Sequence, residues 1–299
     1  MENPFSTAEN ALPRRHEKLT DYRVSYLHHL PKSDFGDWLF AMILFWRWHG
    51  RWPKRAGGTI SDAMFRLKTS AEITHPLRVY VSDKEYVKDY VRSRLGDQFN
   101  VPTLACLHSL AEAERYAFPR RCVIKPTHLS GAAILRRQVE PVDCGLLKKW
   151  LGLNFYNYAR ERNYKTLVPK LIVEPFVFDR DSPGDYRVFC QNGEPRLIQV
   201  NIDTPEAKLR SFYDSAWTFQ PIGMKNKTSN PQPPPANLDL MLHVARSLSR
   251  DFSFIRVDLY SDGRDVKVGE LTNCPYNAWF RFASPESEML ASQMVFGGE

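Results

Sequence analysis

The sequence predicts an α+β protein. The first quarter of the chain reads as helices. The middle and the end carry apolar runs of alternating periodicity, joined by turns rich in Gly, Asp and Asn. An amphipathic helix stands just before the last of these strand pairs.

The elements follow in order. Residues 1–20 are polar and expected to be loosely ordered. Helices are expected over Tyr22–Leu30, Asp34–His49 and Ser61–Lys68, the last after the breaker Gly57-Gly58 and capped by Ser61 or Asp62. The longest apolar run, Trp38–Trp46, falls short of the about 20 residues that span a bilayer. It is expected to pack against the rest of the chain or a second copy, so a homo-oligomer stays open. An interfacial anchor beside the basic stretch Arg47–Arg55 is the alternative. Residues 82–96 predict a helix capped by Ser82 or Asp83 and ended by Gly96, with Val87, Tyr90, Val91 and Leu95 on one face. Lys84 and Lys88 lie one turn apart on one side of it. VPTLACL follows as a strand.

Residues 122–135, CVIKPTHLSGAAIL, read as strand, loop and strand, with Lys125 at the end of the first strand. The loop offers backbone N–H groups, the Ser130 hydroxyl and Gly131. Such a loop can fold over phosphates, with Lys125 as a point charge. His128 reads equally well as a donor to phosphate or as a residue that structures the loop. Residues 144–167 predict one helix with Trp150, Phe155, Tyr156 and Tyr158 in the core. Residues 171–190 are strand, connector and strand. Asn192-Gly193 marks a hairpin turn, and QVNID is the returning strand. Residues 202–237 read as irregular, residues 238–250 as a helix, and Asn277–Glu299 as a short packed tail.

The hairpin at residues 252–273, FSFIRVDLYSDGRDVKVGELTN, carries Arg256, Asp258, Glu270 and Asn273. Side chains alternate faces along a strand. A two-residue Asp262-Gly263 turn would put Asp258 and Glu270 on opposite faces. An odd-numbered loop, Ser261–Asp265, puts Glu270 opposite Arg256 and diagonal to Asp258. Carboxylates and an amide oxygen converging there would suit Mg²⁺, a hard cation that takes oxygen ligands and phosphates.

RVDLY and VGELTN resemble the metal-binding hairpin of the ATP-grasp superfamily, most closely its teichuronopeptide-biosynthesis (TupA-like) branch. With TISDAMFRLKTS and the stretches above, the resemblance covers roughly residues 60–285. It implies an ATP-grasp fold: a helical region 1–75, a first subdomain 76–178 with the phosphate loop, and a second subdomain 179–299 with the metal site. It implies ATP and Mg²⁺ as cofactors and an ATP-dependent carboxylate–amine ligase. Asp258, Glu270 and Asn273 would hold Mg²⁺, with Thr272 standing where the superfamily often has its Asn. Lys88, Lys125, His128, Ser130 and Gly131 would meet the phosphates. Glu174, Phe176 and Val177 match the adenine hinge, and Asp179 or Asp181 the ribose contact, with Asp181 preferred. Arg187 and Arg256, with Lys125, would act on the transferring phosphoryl group. The carboxylate would belong to a uronic acid or glutamyl group of a cell-surface glycan precursor, the amine to an amino acid; a ligase of peptide natural-product biosynthesis is the alternative.

The formal net charge of +7 favours acidic partners without choosing among them. The five cysteines form no CxxC pair and the start is polar and charged, which favours reduced thiols and a cytoplasmic chain over a disulfide framework. No zinc-spaced Cys/His set, GxSxG elbow or Walker loop is present. Two other classes remain open: an ATP-grasp relative that binds without catalysis, and a basic polyanion-binding module. Neither a nucleic-acid partner nor a transmembrane segment is expected.

Overall fold

Two sheets of unequal size face each other across a cleft, and helices cover their outer sides. The computed structural model describes residue 27 and residues 29–181, 183–203, 207–224, 227–228 and 230–297. The expected polar lead-in 1–20 and most of the helix at Tyr22–Leu30 lie outside the described residues.

The small sheet is antiparallel, in the order β1 (Ala105–Leu107), β4 (Leu171–Glu174), β2 (Cys122–Pro126), β3 (Ile134–Arg136). Ile124, Leu171 and Val173 pack on helix α6 (Cys144–Leu151) through Leu147 and Trp150. The expected single helix over 144–167 is broken. After α6 the chain turns at Gly152, and the Asn154 side chain accepts from the Tyr156 N–H at 3.0 Å to start the short α7 (Tyr156–Ala159). Arg160, at φ 50°, ends it.

The large sheet runs β11 (Val266–Thr272), β10 (Phe254–Ser261), β5 (Gly184–Gln191), β6 (Glu194–Asp203), β7 (Lys208–Tyr213), β8 (Phe219–Gln220), with β9 (Lys227–Thr228) parallel to β7. The Asn192-Gly193 turn between β5 and β6 has positive φ at both residues, 49° and 80°, which is why Asn and Gly sit there. β7 and β8 lie inside the stretch expected to be irregular. The ladder partner β6 supplies what the weak local pattern of KLRSFY does not.

One face of the large sheet, with Val188, Ile198, Ile255 and Val257, packs on α8 (Leu238–Ser249) and on α4 (Tyr86–Leu95). The other face carries Phe189, Leu197, Phe212 and Phe254 at one end. There it packs on α2 (Ile60–Thr69) and on α9 (Pro285–Phe296). The expected C-terminal tail is therefore largely helix. Ser284 caps it by accepting from the Ser287 N–H, and Pro285 fills its first turn. Core packing also crosses the expected cut at residue 76, because α2 and α4 both bury apolar side chains on the large sheet. Helix α1 (Asp34–His49) lies over the end of this arrangement. It is held by the buried Arg160–Asp37 ion pair at 2.7 Å. The short α3 (Pro76–Tyr80) precedes α4, and α5 (Leu110–Arg115) follows β1. α4 starts at Tyr86 rather than Ser82, since Asp83 turns back to accept the Glu85 N–H at 2.8 Å.

Candidate active site

The second face of the large sheet changes character along its strands. Beyond the apolar end it presents Arg187 and Asp185 from β5, Arg256, Asp258 and Tyr260 from β10, and Glu270 and Thr272 from β11. Alternation along each strand puts these side chains on one face. Glu270 joins them by a different route from the one expected. The turn is the four-residue loop 262–265, since Ser261 pairs with Val266. An even loop alone would turn Glu270 away, but a one-residue bulge at Gly269 restores it, so that Asp258 pairs directly with Glu270 and Arg256 with Thr272. A Cβ at Gly269 would come within 2.8 Å of the Tyr260 ring, so glycine is the residue that lets the bulge and this ring coexist.

Arg256, Arg187, Asp258, Glu270 and Thr272 line a cavity of about 190 Å³, closed on the far side by Ser130, Gly131, Glu161, Tyr276 and Trp279. Arg256 grips Asp258 with two hydrogen bonds, Nε to Oδ1 and Nη2 to Oδ2, each 2.6 Å, and donates from Nη2 to Thr272 Oγ1 at 3.1 Å. Thr272 Oγ1 in turn donates to Glu270 Oε1 at 3.0 Å. Arg187 Nε lies 3.9 Å from Asp258 Oδ2 and has no hydrogen-bond partner among the described residues. Burial pushes the Asp258 carboxyl above its ordinary range even though Arg256 and Arg187 pull it down. Burial also opposes the charge on Glu270, but Lys84, Arg256 and the Thr272 hydroxyl outweigh it, and its pKa is lowered.

A second cavity of about 260 Å³ continues along the same sheet face. It is lined by Lys125, Ala133, Leu135, Phe176, Val177, Asp181, Asp185 and Tyr260 among others. β5 gives Asp185 to this cavity and Arg187 to the first; β10 gives Tyr260 and Asp258 in the same way. Two residues of strand span roughly 6.6 Å. The two cavities are therefore consecutive, and the loop after β2 borders both, with Ser130 and Gly131 on one and Ala133 on the other. That loop is pinned: Leu129 and Ala132 are buried in the small-sheet core. Thr127 donates its N–H to the Lys170 carbonyl at 2.9 Å, and Lys84 Nζ donates to the Leu129 carbonyl at 2.5 Å.

Several expected residues are placed elsewhere. The Asn273 side chain is buried and spent: Oδ1 accepts from Arg78 Nη1 at 2.9 Å, and Nδ2 donates to the Arg78 carbonyl and Ser82 Oγ, each at 3.1 Å. It cannot complete a ligand set with Asp258 and Glu270, whereas Thr272 faces the cavity. His128 points into the small subdomain, where Nε2 donates to the Trp150 carbonyl at 3.1 Å, and burial lowers its pKa. It structures the loop and does not line either cavity. Lys88 is engaged three ways, with Glu174 Oε1 at 2.5 Å and with the Val101 carbonyl and Thr103 Oγ1, each at 2.8 Å. Glu174 turns its carboxylate to Lys88 and to Lys125 Nζ, 2.7 Å away, rather than into the second cavity. Burial opposes the charges of this trio. Glu174 nevertheless sits below its ordinary pKa because of Lys125 and Lys88. Phe176, Val177 and Asp181 do line the second cavity, with Asp181 also paired to Arg121 Nη2 at 2.8 Å. Asp179, the alternative, is exposed and does not. The sequence reading missed Tyr260, Lys84, Glu161, Tyr276 and Trp279. Tyr260 had a signal, two residues from Asp258 on one strand face; the last three arrive from loops and had none.

A model of the TupA-like ATP-grasp family matches residues 63–293. The chain belongs to the TupA-like ATP-grasp family. Its fold is accordingly the ATP-grasp fold, with the cleft between the two sheets described above. No curated protein matches the chain. Among solved structures, D-alanine–D-alanine ligase from Helicobacter pylori is similar at 13% identity over 74% of this chain and 61% of that one, with a TM-score of 0.41. The Bacillus anthracis enzyme of the same name is similar at 15% identity over 72% and 63%, with a TM-score of 0.42. D-cycloserine synthetase DcsG gives 16% identity over 69% and 67%, with a TM-score of 0.36. The TupA-like chain thus spans about three fifths of the length of the D-alanine–D-alanine ligases it matches.

A divalent cation fits the donor set of this TupA-like protein. Asp258 and Glu270 are directly paired hard-oxygen donors on one cavity wall, and Glu270 adds to the cost of ionising Asp258. A cation between them would relieve that repulsion, and Thr272 Oγ1 stands beside them.

Proposed function

We propose that this protein is an ATP-dependent carboxylate–amine ligase. The carboxylate takes the γ-phosphoryl group of ATP, an amine attacks the acyl phosphate, and an amide, ADP and phosphate leave. The observation that carries this reading is the succession of two cavities along one sheet face, joined by the loop after β2. A nucleoside fits the partly apolar second cavity, against Phe176, Val177, Leu135 and Tyr260, with Asp181 in reach of ribose. Its phosphates then run past Lys125 and the backbone of Ser130 and Gly131 into the first cavity. There Arg187, whose Nε awaits a partner, and Arg256 hold charge that develops on the phosphoryl group and on the tetrahedral intermediate. Mg²⁺ held by Asp258 and Glu270, with Thr272, would neutralise phosphate charge. To admit phosphate, Lys125 must exchange Glu174 for the nucleotide, a swap that leaves Glu174 paired with Lys88. Glu161 lines the same cavity as the arginines and would hold the amine, taking the proton that its ammonium form loses before attack.

The finer reading rests on the family resemblance. It makes the acid a uronic acid or glutamyl group of a cell-surface glycan precursor and the amine an amino acid. ATP dependence and the absence of disulfides among the five cysteines support a cytoplasmic site of action. A protein that binds nucleotide without turnover is the second reading, favoured by one observation: Leu129 and Ala132 anchor the phosphate loop in the core.

An ¹⁸O-labelled acid, incubated with ATP, Mg²⁺ and an amine, separates these. Label is expected in inorganic phosphate in proportion to amide, with ADP as the nucleotide product. AMP and pyrophosphate, or unlabelled phosphate, would overturn the acyl-phosphate step. Tight ATP binding with no turnover across uronic acids, glutamate and the amino acids would favour the binder.

A further inference from the structure

Helix α1 buries one side and leaves the other apolar. Phe40, Ala41, Leu44 and Phe45 face inward. Phe35, Trp38, Met42 and Trp46 recur at helical spacing on the outward side, with Phe35 68%, Trp38 41% and Trp46 49% exposed. Trp52, 57% exposed, stacks on Trp46 with ring centres 6.0 Å apart, and Phe35 stacks on Trp38 at the same distance. A contiguous exposed patch of large aromatics on a soluble surface marks a contact site.

Charge around the patch decides between occupants. Lys32, Arg47, Lys54 and Arg55 are exposed, and among the described residues none of them pairs with a carboxylate. The neighbouring acids are all taken, Asp34 by Arg162, Asp37 by Arg160 and Asp62 by Arg51. Two copies meeting through this face would press like charges together, which works against association. An anionic lipid surface neutralises them, and tryptophan is the side chain that favours the level of lipid headgroups. The helix has 16 residues, and no helix among the described residues is long and apolar enough to cross a membrane.

We infer that α1 and the Trp52 segment dock this protein on an anionic membrane surface, with Trp38, Trp46 and Trp52 in the headgroup layer and Arg47, Lys54 and Arg55 on lipid phosphates. The helix lies on the membrane and does not span it. The same helix touches a residue of the first cavity: Trp48 Nε1 donates to the Trp279 carbonyl at 3.0 Å, and Trp279 lines that cavity. An acceptor held in the membrane would thus be presented beside the arginines. The docking itself stands independently of the ligase reading.

The test is vesicle co-sedimentation of the full chain, with phosphatidylglycerol–phosphatidylcholine vesicles and pure phosphatidylcholine vesicles in parallel. Partition to the anionic vesicles, a blue shift of tryptophan emission and release by salt are expected. Trp38→Ala/Trp46→Ala/Trp52→Ala should weaken partition by roughly tenfold or more. Arg47→Glu/Lys54→Glu/Arg55→Glu, which disturbs no ion pair among the described residues and guards against a misfolded aromatic variant, should weaken it by about fivefold per charge. Absence of partition to anionic vesicles at low salt would overturn the inference, as would equal binding to both vesicle types or variants that bind as well as the parent. Light scattering that shows a dimer in the parent and a monomer in the tryptophan variant would overturn it in favour of a second copy.

Discussion

Two buried arginine–aspartate pairs differ in what surrounds them. Arg160 and Asp37 tie α1 to the turn after α7. There Asp37 also accepts from the Tyr156 hydroxyl at 2.9 and 2.8 Å, and Arg160 donates to the carbonyls of Leu30 and Pro31 at 2.8 and 3.1 Å. Neither residue of that pair lines either cavity. Arg256 and Asp258 form an equally short bidentate pair, but they stand at a cavity wall. Beside them Arg187 lacks a partner at Nε, and Glu270 is a second carboxylate. A buried ion pair by itself says little about role, since its desolvation cost offsets much of its attraction. Open space and a second carboxylate next to the pair are what distinguish a working site from a fastening.

The comparison predicts opposite responses. Asp37→Ala leaves Arg160 charged and buried and should cost about 3–5 kcal/mol in denaturant unfolding. Asp258→Asn should change stability far less, yet lower amide formation by about a thousandfold, roughly 4 kcal/mol of barrier. Equal stability losses would erase the distinction, and near-normal turnover in Asp258→Asn would remove that carboxylate from the reaction.

Neighbouring positions on β11 sharpen it. Asn273→Ala deprives Arg78 of an acceptor and should cost about 1–3 kcal/mol of stability, with the Mg²⁺ dependence of turnover unchanged. Thr272→Val should leave stability nearly intact and raise the Mg²⁺ concentration needed for half-maximal turnover. A Mg²⁺ requirement that moves with Asn273 instead would reverse the assignment made from their side-chain directions.

The smallest effect concerns acid. The folded protein holds Glu174 below its ordinary value of 4.5, against burial, through Lys125 and Lys88. A lowered carboxylate pKa stabilises the fold fully above the unfolded value, and that contribution is lost as pH falls through the folded one. The stability advantage of the parent over Glu174→Gln should therefore be full at neutral pH and shrink below about 4.5, as read by urea unfolding across pH. A difference that is flat through that range would mean the pair carries no net charge linkage.

Much of the site was legible because strand alternation is local. Arg256 and Asp258 share a face by spacing alone, as do Asp185 and Arg187. The Asn192-Gly193 turn follows from the positive φ that these residue types tolerate. Even the final helix carried a readable start in Ser284-Pro285, overlooked in favour of a tail. Lys88 and His128 misled because a cation or an imidazole near a phosphate loop can satisfy a carbonyl or a carboxylate just as well, and only packing decides which.

The sequence by itself determined the family, the α+β class and the charged face of the last hairpin, all of which rest on neighbours within a strand or turn. Tertiary structure alone decided three things. The bulge at Gly269 shifted the register by one residue and set Glu270 opposite Asp258, and glycine there leaves room for the Tyr260 ring. Arg78, 195 residues away in the chain, drew Asn273 out of the site. Glu161 and the segment that carries both Tyr276 and Trp279 closed the cavity from two distant parts of the chain. In each case the deciding contact joins residues whose separation no local pattern encodes.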